Sequence, residues 1–312
     1  MKIVVLDGYT ENPGDLSWDA LSALGDVTVY DRTAYTESPL ILQRIGDAEV
    51  VVVNKTPISN DTIDKCPDLK MIAVLATGYN VVDCSYAREK GIIVCNVPTY
   101  GTAAVGQFAI AMLLEICHHV AHHSDTVYAG KWNACADWCY WDYPLIELDG
   151  KTMGIIGFGR IGQELGKMGK ALGMKVIVTG RTAKPELEEK FGVKYVSMDE
   201  LLEQSDFVSL HTPALGDKPL VDAEFIAKME KGAILINTSR GKNVDEAALL
   251  DALNAGQLRG AGLDVWFEEP TANHDLYCHP AVSCTPHIGA QTVEAQKRIG
   301  AEVVDIISGF AF

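Results

Sequence analysis

The sequence predicts an α/β protein built from two doubly wound parallel sheets. Three observations carry that expectation. Short apolar runs alternate with helical patterns along the chain, as in a parallel sheet covered on both faces. One run, Thr152 to Ile156, has the small, apolar, branched character of a buried parallel strand. It leads into Gly157-Phe158-Gly159-Arg160-Ile161-Gly162, and an amphipathic helix follows from about Arg160 to Leu172.

In chain order, Lys2–Leu6, Val27–Tyr30, Glu49–Val53, Met71–Leu75 and Ile92–Cys95 read as strands. Helical patterns lie between them near Trp18–Leu24, Pro39–Ile45, Asp61–Lys65 and Asp83–Glu89. One long helix is expected from Tyr100 to His123, with Phe108, Ala109, Met112, Leu113 and Ile116 on its apolar stripe, crossing between domains. Trp132 to Tyr143 is rich in aromatics but has neither period, and reads as an ordered loop. Further strands follow the glycine turn at Lys175–Thr179, Phe207–Leu210, Ala233–Asn237, Ala261–Val265 and Val282–Thr285. A last helical pattern, Ala290–Ile307, returns to the first domain. The expected division is 1–99 with 288–312, a discontinuous domain, and 100–287.

Composition narrows the partners. Hydrophobic residues make up 48% of the 312, enough for full cores in about two domains. The longest apolar stretch, Phe108–Leu114, is too short to cross a bilayer. The start, Met1 to Asp7, is strand-like and lacks the features of a signal peptide, so a cytoplasmic location is expected. A formal net charge of −16 argues against nucleic acid and anionic membranes. The eight scattered cysteines read as reduced, mostly buried thiols.

The glycine spacing has a mechanism. Gly157 permits a tight turn, Gly159 lets backbone approach a pyrophosphate, and Gly162 lets the helix pack close to the strand. The helix N-terminus then faces the phosphates of a dinucleotide. Other strand ends carry Arg181, His211, Arg240, Asp264, Glu269 and His287, and ligands of open parallel sheets bind at such ends. Alone, each has a bland reading: Arg240 as a surface ion pair, His287 as a turn histidine, Asp264 as a cap. Together they form a chemical set. Arginine binds a carboxylate with two parallel bonds. Histidine delivers a proton near neutral pH, and a neighbouring carboxylate orients it and favours its charged form. With a bound nicotinamide, that set reduces a 2-oxo acid.

The chain here resembles the D-isomer-specific 2-hydroxyacid dehydrogenase family over essentially its full length, and within it the glycerate dehydrogenases, or hydroxypyruvate reductases. The likeness rests on the glycine turn, on His211-Thr212-Pro213, and on the Arg240, Glu269 and His287 stretches in that order. It implies a Rossmann cofactor domain, a flavodoxin-like substrate domain and a cleft between them. It implies Arg240, Glu269 and His287 as catalytic residues: Arg240 on the substrate carboxylate and carbonyl, His287 as acid/base, Glu269 as its partner. Thr77, Gly78 and Tyr79 match the family's substrate loop. The implied cofactor positions are Thr102, Gly157, Gly159, Arg160, Ile161, Gly162, Gly180, Arg181, Thr182, His211, Thr212, Pro213, Thr238, Asp264, His287 and Gly289. Asp264 would lie near the nicotinamide carboxamide. The expected reaction is reduction of hydroxypyruvate or glyoxylate to D-glycerate or glycolate, and its reverse. A homodimer using the long helix and the aromatic loop is also implied.

One departure bears on the cofactor. NAD-linked members of the family usually carry an aspartate where Gly180 stands. Here Arg181, Thr182 and Lys184 follow instead, which suits a 2′-phosphate and favours NADP, with NAD as the alternative. His118, His119, His122 and His123 have metal-ligand spacings, but read better as an exposed helix end; no metal is expected. Two other functions share this fold: a nucleotide-sensing binding protein and a phosphite dehydrogenase relative. Glu269 argues against a formate enzyme, which usually has glutamine there.

Overall fold

The structure, a computed structural model, describes residues 1–310 apart from 215 and 217. The chain divides into two compact units, Met1–Gly101 with Ala290–Phe312, and Thr102–Gly289. Both junctions fall two residues later than the sequence reading places them (101 against 99, 289 against 287). Two contacts explain the shift. Tyr100 packs on the core of the first unit, and its carbonyl accepts a bond from Arg298 Nε at 2.9 Å. Gly289 N donates to Asp264 Oδ2 at 2.8 Å, which keeps it with the second unit.

The first unit holds β1 (Lys2–Val5), β2 (Asp26–Val29), β3 (Val50–Val53), β4 (Met71–Val74) and β5 (Ile93–Asn96), with α1 (Asp19–Ser22), α2 (Pro39–Ile45), α3 (Asn60–Lys65) and α4 (Cys84–Glu89) between them. The sheet order is β2-β1-β3-β4-β5, all parallel. Alternation along each strand divides two cores. Ile3, Val5, Val50, Val52, Met71 and Ala73 face one side. Val4, Val51, Val53, Ile72 and Val74 face the other, with Ile41, Ile63 and Ala87 from α2, α3 and α4. All four valines of β3 are fully buried, each stabilising by about 1.5–3 kcal/mol. Ser38, Ser59 and Asp83 cap α2, α3 and α4 with side-chain oxygens.

The second unit opens with α5 (Thr102–His118) and α6 (Val120–Tyr128), where the sequence reading carries a single helix to His123. The two are bent by 57°. His119 between them is left-handed at φ 48°, a conformation a continuing helix cannot hold. Its N–H still closes α5 on Glu115 O at 2.7 Å, and its ring stacks on Tyr143 at 4.3 Å. The Glu115 carboxylate accepts from Ala121 N at 3.3 Å and starts α6 anew. Trp132 to Tyr143 contains neither helix nor strand.

After it come β6 (Thr152–Ile156), α7 (Arg160–Ala171), β7 (Lys175–Thr179), α8 (Pro185–Phe191), β8 (Lys194–Tyr195), α9 (Met198–Gln204), β9 (Phe207–Leu210), α10 (Ala223–Lys228), β10 (Ala233–Asn237), α11 (Glu246–Asn254), β11 (Leu258–Leu263), α12 (His274–Tyr277) and β12 (Val282–Cys284). The parallel order is β12-β11-β10-β9-β6-β7-β8. The sequence reading starts β11 at Ala261, three residues late (261 against 258). Gly260 and Gly262 interrupt its apolar run because α5 lies against them. A Cβ at Gly260 would sit 2.9 Å from Ile116, and one at Gly262 would sit 3.4 Å from Met112. The chain then returns to the first unit as α13 (Val293–Ser308), which adds Ile299, Val303 and Ile307 to that core.

A polar group is buried in the first unit behind β1. Asp7 accepts from the backbone N–H of Asn54, Lys55 and Thr56 at 2.7, 2.6 and 2.8 Å. Glu11, 3% exposed, accepts from Asn54 Nδ2 through Oε1, while its Oε2 is buried with no partner. It borders a cavity of about 270 Å³ lined by Leu16, Trp18, Leu21, Leu75, Ile299 and Val303. Burial in these apolar surroundings pushes the Glu11 carboxyl up to about 7, with Asp7 adding to the rise. A carboxyl raised on folding stabilises fully below its ordinary value of 4.5, and that contribution is lost as pH climbs through about 7. Glu11→Gln should therefore remove up to about 3 kcal/mol of stability loss between those pH values. Denaturant midpoints of both proteins at pH 5 and pH 8 test this; parallel pH dependence would refute it.

Candidate active site

The glycine turn joins β6 to α7, and each glycine has a separate reason. Gly157 has φ 95°, and an added Cβ would lie 2.5 Å from His211 O on the neighbouring strand end. Gly162 would place a Cβ 2.5 Å from Gly157 O, so only glycine lets α7 start this close to β6. Gly159, the N-cap of α7, has nothing within 4 Å of a Cβ position. The helix N-terminus is therefore open on that side, with Arg160 exposed and Ile161 half-buried in its first turn. Phe158 turns inward and meets Phe191 and Tyr195 edge to face.

The strand ends beside this turn carry the other expected cofactor positions. β7 pairs with β6, and Gly157 N donates to Thr179 O at 2.9 Å, so Gly180 follows directly beside the glycine turn. Gly180, Arg181, Thr182 and Lys184 are all exposed. On the opposite flank, β9 brings His211, whose N–H donates to Ile156 O at 2.8 Å. Burial lowers the His211 ring to about 4, and Ser209 Oγ bonds its Nε2 at 2.9 Å. It is neutral at pH 7. Thr212 follows, then exposed Pro213. Thr212 Oγ1 and, at the end of β10, Thr238 Oγ1 are buried without a hydrogen-bond partner. Native interiors rarely leave such groups unsatisfied, so both point to a bound polar molecule. The open helix N-terminus, the two glycine close approaches and these two hydroxyls fit a dinucleotide.

The chemical set gathers on β10, β11 and β12. Asn237, fully buried, shapes the Arg240 turn: its Oδ1 accepts from Ser239 N and Oγ at 3.0 and 2.8 Å, and its Nδ2 donates to Arg240 O at 2.9 Å. Arg240 is half-buried and donates through one guanidinium nitrogen to Ser239 O at 2.7 Å. The next residue must be glycine. A Cβ on Gly241 would fall 1.8 Å from the Trp266 carbonyl, so the arginine loop lies flat on the loop after β11.

That second loop holds Glu269, which accepts from Trp266 N through Oε1 at 3.1 Å and pairs with His287 Nδ1 through Oε2 at 2.7 Å. Trp266, 7% exposed, also donates from its indole to Thr285 O at 3.3 Å. Asp264, 2% exposed, accepts from Thr285 Oγ1 at 2.7 Å, Ile288 N at 2.8 Å and Gly289 N at 2.8 Å. These bonds encircle His287, which sits left-handed at φ 57°. With Nδ1 committed to Glu269, Nε2 is the ring nitrogen left for proton transfer.

Thr102 begins α5 in this same unit. Thr77, Gly78 and Tyr79 belong to the first unit, in a turn after β4 whose Thr77 carbonyl accepts from Asn96 Nδ2 at 2.8 Å. Thr77 and Tyr79 are exposed. Sequence reasoning missed Asn237, Asn243 and Trp266. Asn243 bonds Thr212 O at 3.0 Å and Ser239 Oγ at 3.1 Å, tying two strand ends together. An asparagine two residues before a serine at a strand end is an Asx-turn signal that could have found Asn237. The helix-end histidines have local partners: His122 Nε2 meets Asp142 at 2.8 Å, and His123 Nδ1 meets His119 O at 2.8 Å.

Comparison with known proteins identifies the family. The family model for the NAD binding domain of D-isomer specific 2-hydroxyacid dehydrogenases matches residues 110–289. A hydroxypyruvate reductase of Blautia hydrogenotrophica is 55% identical over 96% of this chain and 93% of its own. Among solved structures, a D-lactate dehydrogenase from Aquifex aeolicus, complexed with NAD and lactic acid, superposes with a TM-score of 0.84 at 30% identity, over 99% of this chain and 95% of its own. An NADPH-dependent glyoxylate/hydroxypyruvate reductase from Sinorhizobium meliloti, in complex with NADP and malonate, gives 0.82 at 28% identity, over 99% and 92%. With these likenesses spanning nearly the whole chain, and the glycine turn and charged strand ends placed as described, the protein belongs to the D-isomer specific 2-hydroxyacid dehydrogenases and is an oxidoreductase that uses a nicotinamide dinucleotide.

Proposed function

We propose that the protein reduces hydroxypyruvate or glyoxylate to D-glycerate or glycolate and catalyses the reverse oxidation. The observation that supports this most directly is the Glu269–His287 pair at 2.7 Å, on a loop packed against the Arg240 turn. A bound reduced nicotinamide supplies the hydride. Arg240 binds the substrate carboxylate and draws charge from the 2-oxo oxygen. His287 Nε2 gives that oxygen its proton, and in the reverse direction takes it back. Glu269 holds the ring by Nδ1. Thr77, Gly78 and Tyr79 of the first unit serve the substrate carboxylate, making that unit the substrate domain and the second the cofactor domain. Asp264 acts on the turn that carries His287, and sits close to where the nicotinamide carboxamide belongs.

We further propose NADP as the preferred cofactor. Gly180 presents no carboxylate to repel a 2′-phosphate, and no hydrogen bond or ion pair engages Arg181 or Thr182 among the described residues. The chain is proposed to act as a cytoplasmic homodimer. Tyr128, Trp138 and Trp141 are each strongly exposed, at 84%, 86% and 67%, and a second copy would cover them.

A panel of 2-oxo acids with both reduced cofactors tests the reaction; binding of nucleotide without turnover of any 2-oxo acid would refute it. Arg240→Ala should cut kcat/KM by about 10³-fold, with only partial rescue by Lys, which lacks the planar fork. Near-normal turnover in the alanine variant would remove Arg240 from the chemistry. Glu269→Gln replaces the carboxylate that holds the ring by Nδ1, so kcat/KM should fall about 10–100-fold, the effect of a misplaced catalytic group. Unchanged steady-state turnover in that variant would contradict the positioning role. For the cofactor, one charge-assisted contact to a 2′-phosphate contributes about 1.5–3 kcal/mol, or roughly 10–150-fold. NADPH should therefore give the higher kcat/KM, and Gly180→Asp with Arg181→Ala should reverse the order. Equal efficiency at one fixed ionic strength would overturn the preference and leave the reaction standing.

A further inference from the structure

Two exposed cysteines lie just before the histidine turn. Cys278 caps the end of α12, and Cys284 ends β12. The chain between them doubles back: Val282 N donates to His279 O at 2.9 Å, and Ala281 N to His279 Nδ1 at 3.1 Å. Cys284 Sγ consequently sits 3.7 Å from the carbonyl oxygen of Tyr277, the residue bonded to Cys278. A carbonyl oxygen and the next Cα are about 2.8 Å apart, so Cys284 Sγ lies within about 6.5 Å of the Cys278 Cα. Disulfides join Cα atoms about 4.4–6.8 Å apart, and a sulfur held this near the Cys278 backbone puts the pair on that scale.

The two thiols differ in surroundings. His274, one helical turn before Cys278 and itself exposed, places Nε2 3.4 Å from Cys278 Sγ, where it can take the thiol proton. Cys284 lies with its sulfur against backbone, and burial together with the Cys278 thiol pushes its own thiol up. Elsewhere, Cys66 and Cys117 are buried, and burial pushes Cys117 up to about 11, which leaves it unreactive. Cys284 also pairs in register with Leu263, and the next residue, Thr285, binds Asp264 and Trp266.

We propose that Cys278 and Cys284 form a redox-responsive dithiol that a peroxide oxidises to a disulfide, and that closing it disturbs the turn carrying His287. The Cys278 thiolate attacks one peroxide oxygen. The O–O bond breaks, Cys278 becomes a sulfenic acid, and with hydrogen peroxide the departing hydroxide takes up the thiol proton as water. The Cys284 sulfur then attacks the Cys278 sulfur. The S–S bond forms, the S–O bond breaks, and the oxygen leaves with the Cys284 proton as a second water. Two thiols are oxidised by two electrons and one peroxide is reduced by two. A thiol reductant reverses the change.

The test uses the full chain with hydrogen peroxide, followed by alkylation of remaining thiols and tryptic mapping. Cleavage after Arg259 and Lys297 isolates residues 260–297, which contain these two cysteines and no others. The peptide should become lighter by two hydrogen atoms and refuse the alkylating agent. In parallel, kcat/KM for 2-oxo acid reduction should fall about 10–100-fold, the effect of a misplaced catalytic group, and dithiothreitol should restore both. Cys284→Ser should leave basal activity intact and drive Cys278 on to the sulfinic acid. His274→Gln should slow disulfide formation by roughly tenfold. Alkylation of both cysteines after peroxide, or their separate over-oxidation in the unaltered protein, would overturn the proposal. A disulfide that forms without any change in turnover would overturn its coupling to His287. The activity readout rests on the proposed reduction, whereas peptide mapping does not, so failure of one is separable from failure of the other.

Discussion

The site depends first on a buried carboxylate. Asp264 holds the turn from Thr285 to Gly289 by three accepted hydrogen bonds, and that turn forces His287 into the left-handed region. A non-glycine residue there costs on the order of 1–3 kcal/mol. Hydrogen bonds to a charged acceptor contribute about 1.5–3 kcal/mol each, so three of them outweigh the strain. They also supply the solvation that Asp264 gives up on burial. Gly289 completes the clamp, since a Cβ there would lie 2.8 Å from Asp264 Oδ2. With the backbone set this way, Nδ1 meets Glu269 and Nε2 is left for chemistry.

Trp266 carries the same constraint sideways. Its backbone N–H holds Glu269, its indole holds Thr285, and its carbonyl is pressed by Gly241. One buried residue thus ties the arginine loop, the carboxylate loop and the histidine strand. Arg240, Glu269 and His287 follow three strand ends, and their spacing is set by Asn237, Asn243, Asp264 and Trp266. Such support holds long side chains such as arginine in one geometry. His211 illustrates the electrostatic side of this. Burial keeps it neutral beside the glycine turn, so it adds no charge where phosphates are expected.

Much of the fold was legible because parallel strands covered on both faces need continuous apolar runs. Val50 to Val53 could hardly be anything else, and the five strands of the first unit were all found within a residue or so of their ends. Reading failed where tertiary contact overrode the local pattern. The start of β11 was hidden because α5 presses on Gly260 and Gly262, which removes the apolar side chains a strand search needs. The break at His119 was hidden because its cause, stacking on Tyr143, lies across a loop. The short helices α8 to α12 bury between none and three residues each, too few to show a period.

By itself the sequence determined the two parallel sheets, the glycine turn and which charged side chains stand at the strand ends. Those features rest on local rules: apolar runs, glycine where backbone approaches backbone, and charge at strand ends. Only the tertiary structure decided which groups meet. Glu269 and His287 are separated by 18 positions in the chain and 2.7 Å in space. Cys284 Sγ comes to 3.7 Å from the Tyr277 carbonyl beside Cys278 because a turn pinned by His279 folds the chain back. Asp264, which the sequence presents as one more strand-end acid, is the clamp of the histidine turn, because donors from three later residues converge on it. Convergence of that kind is set by strand order and register, which no local stretch of sequence contains.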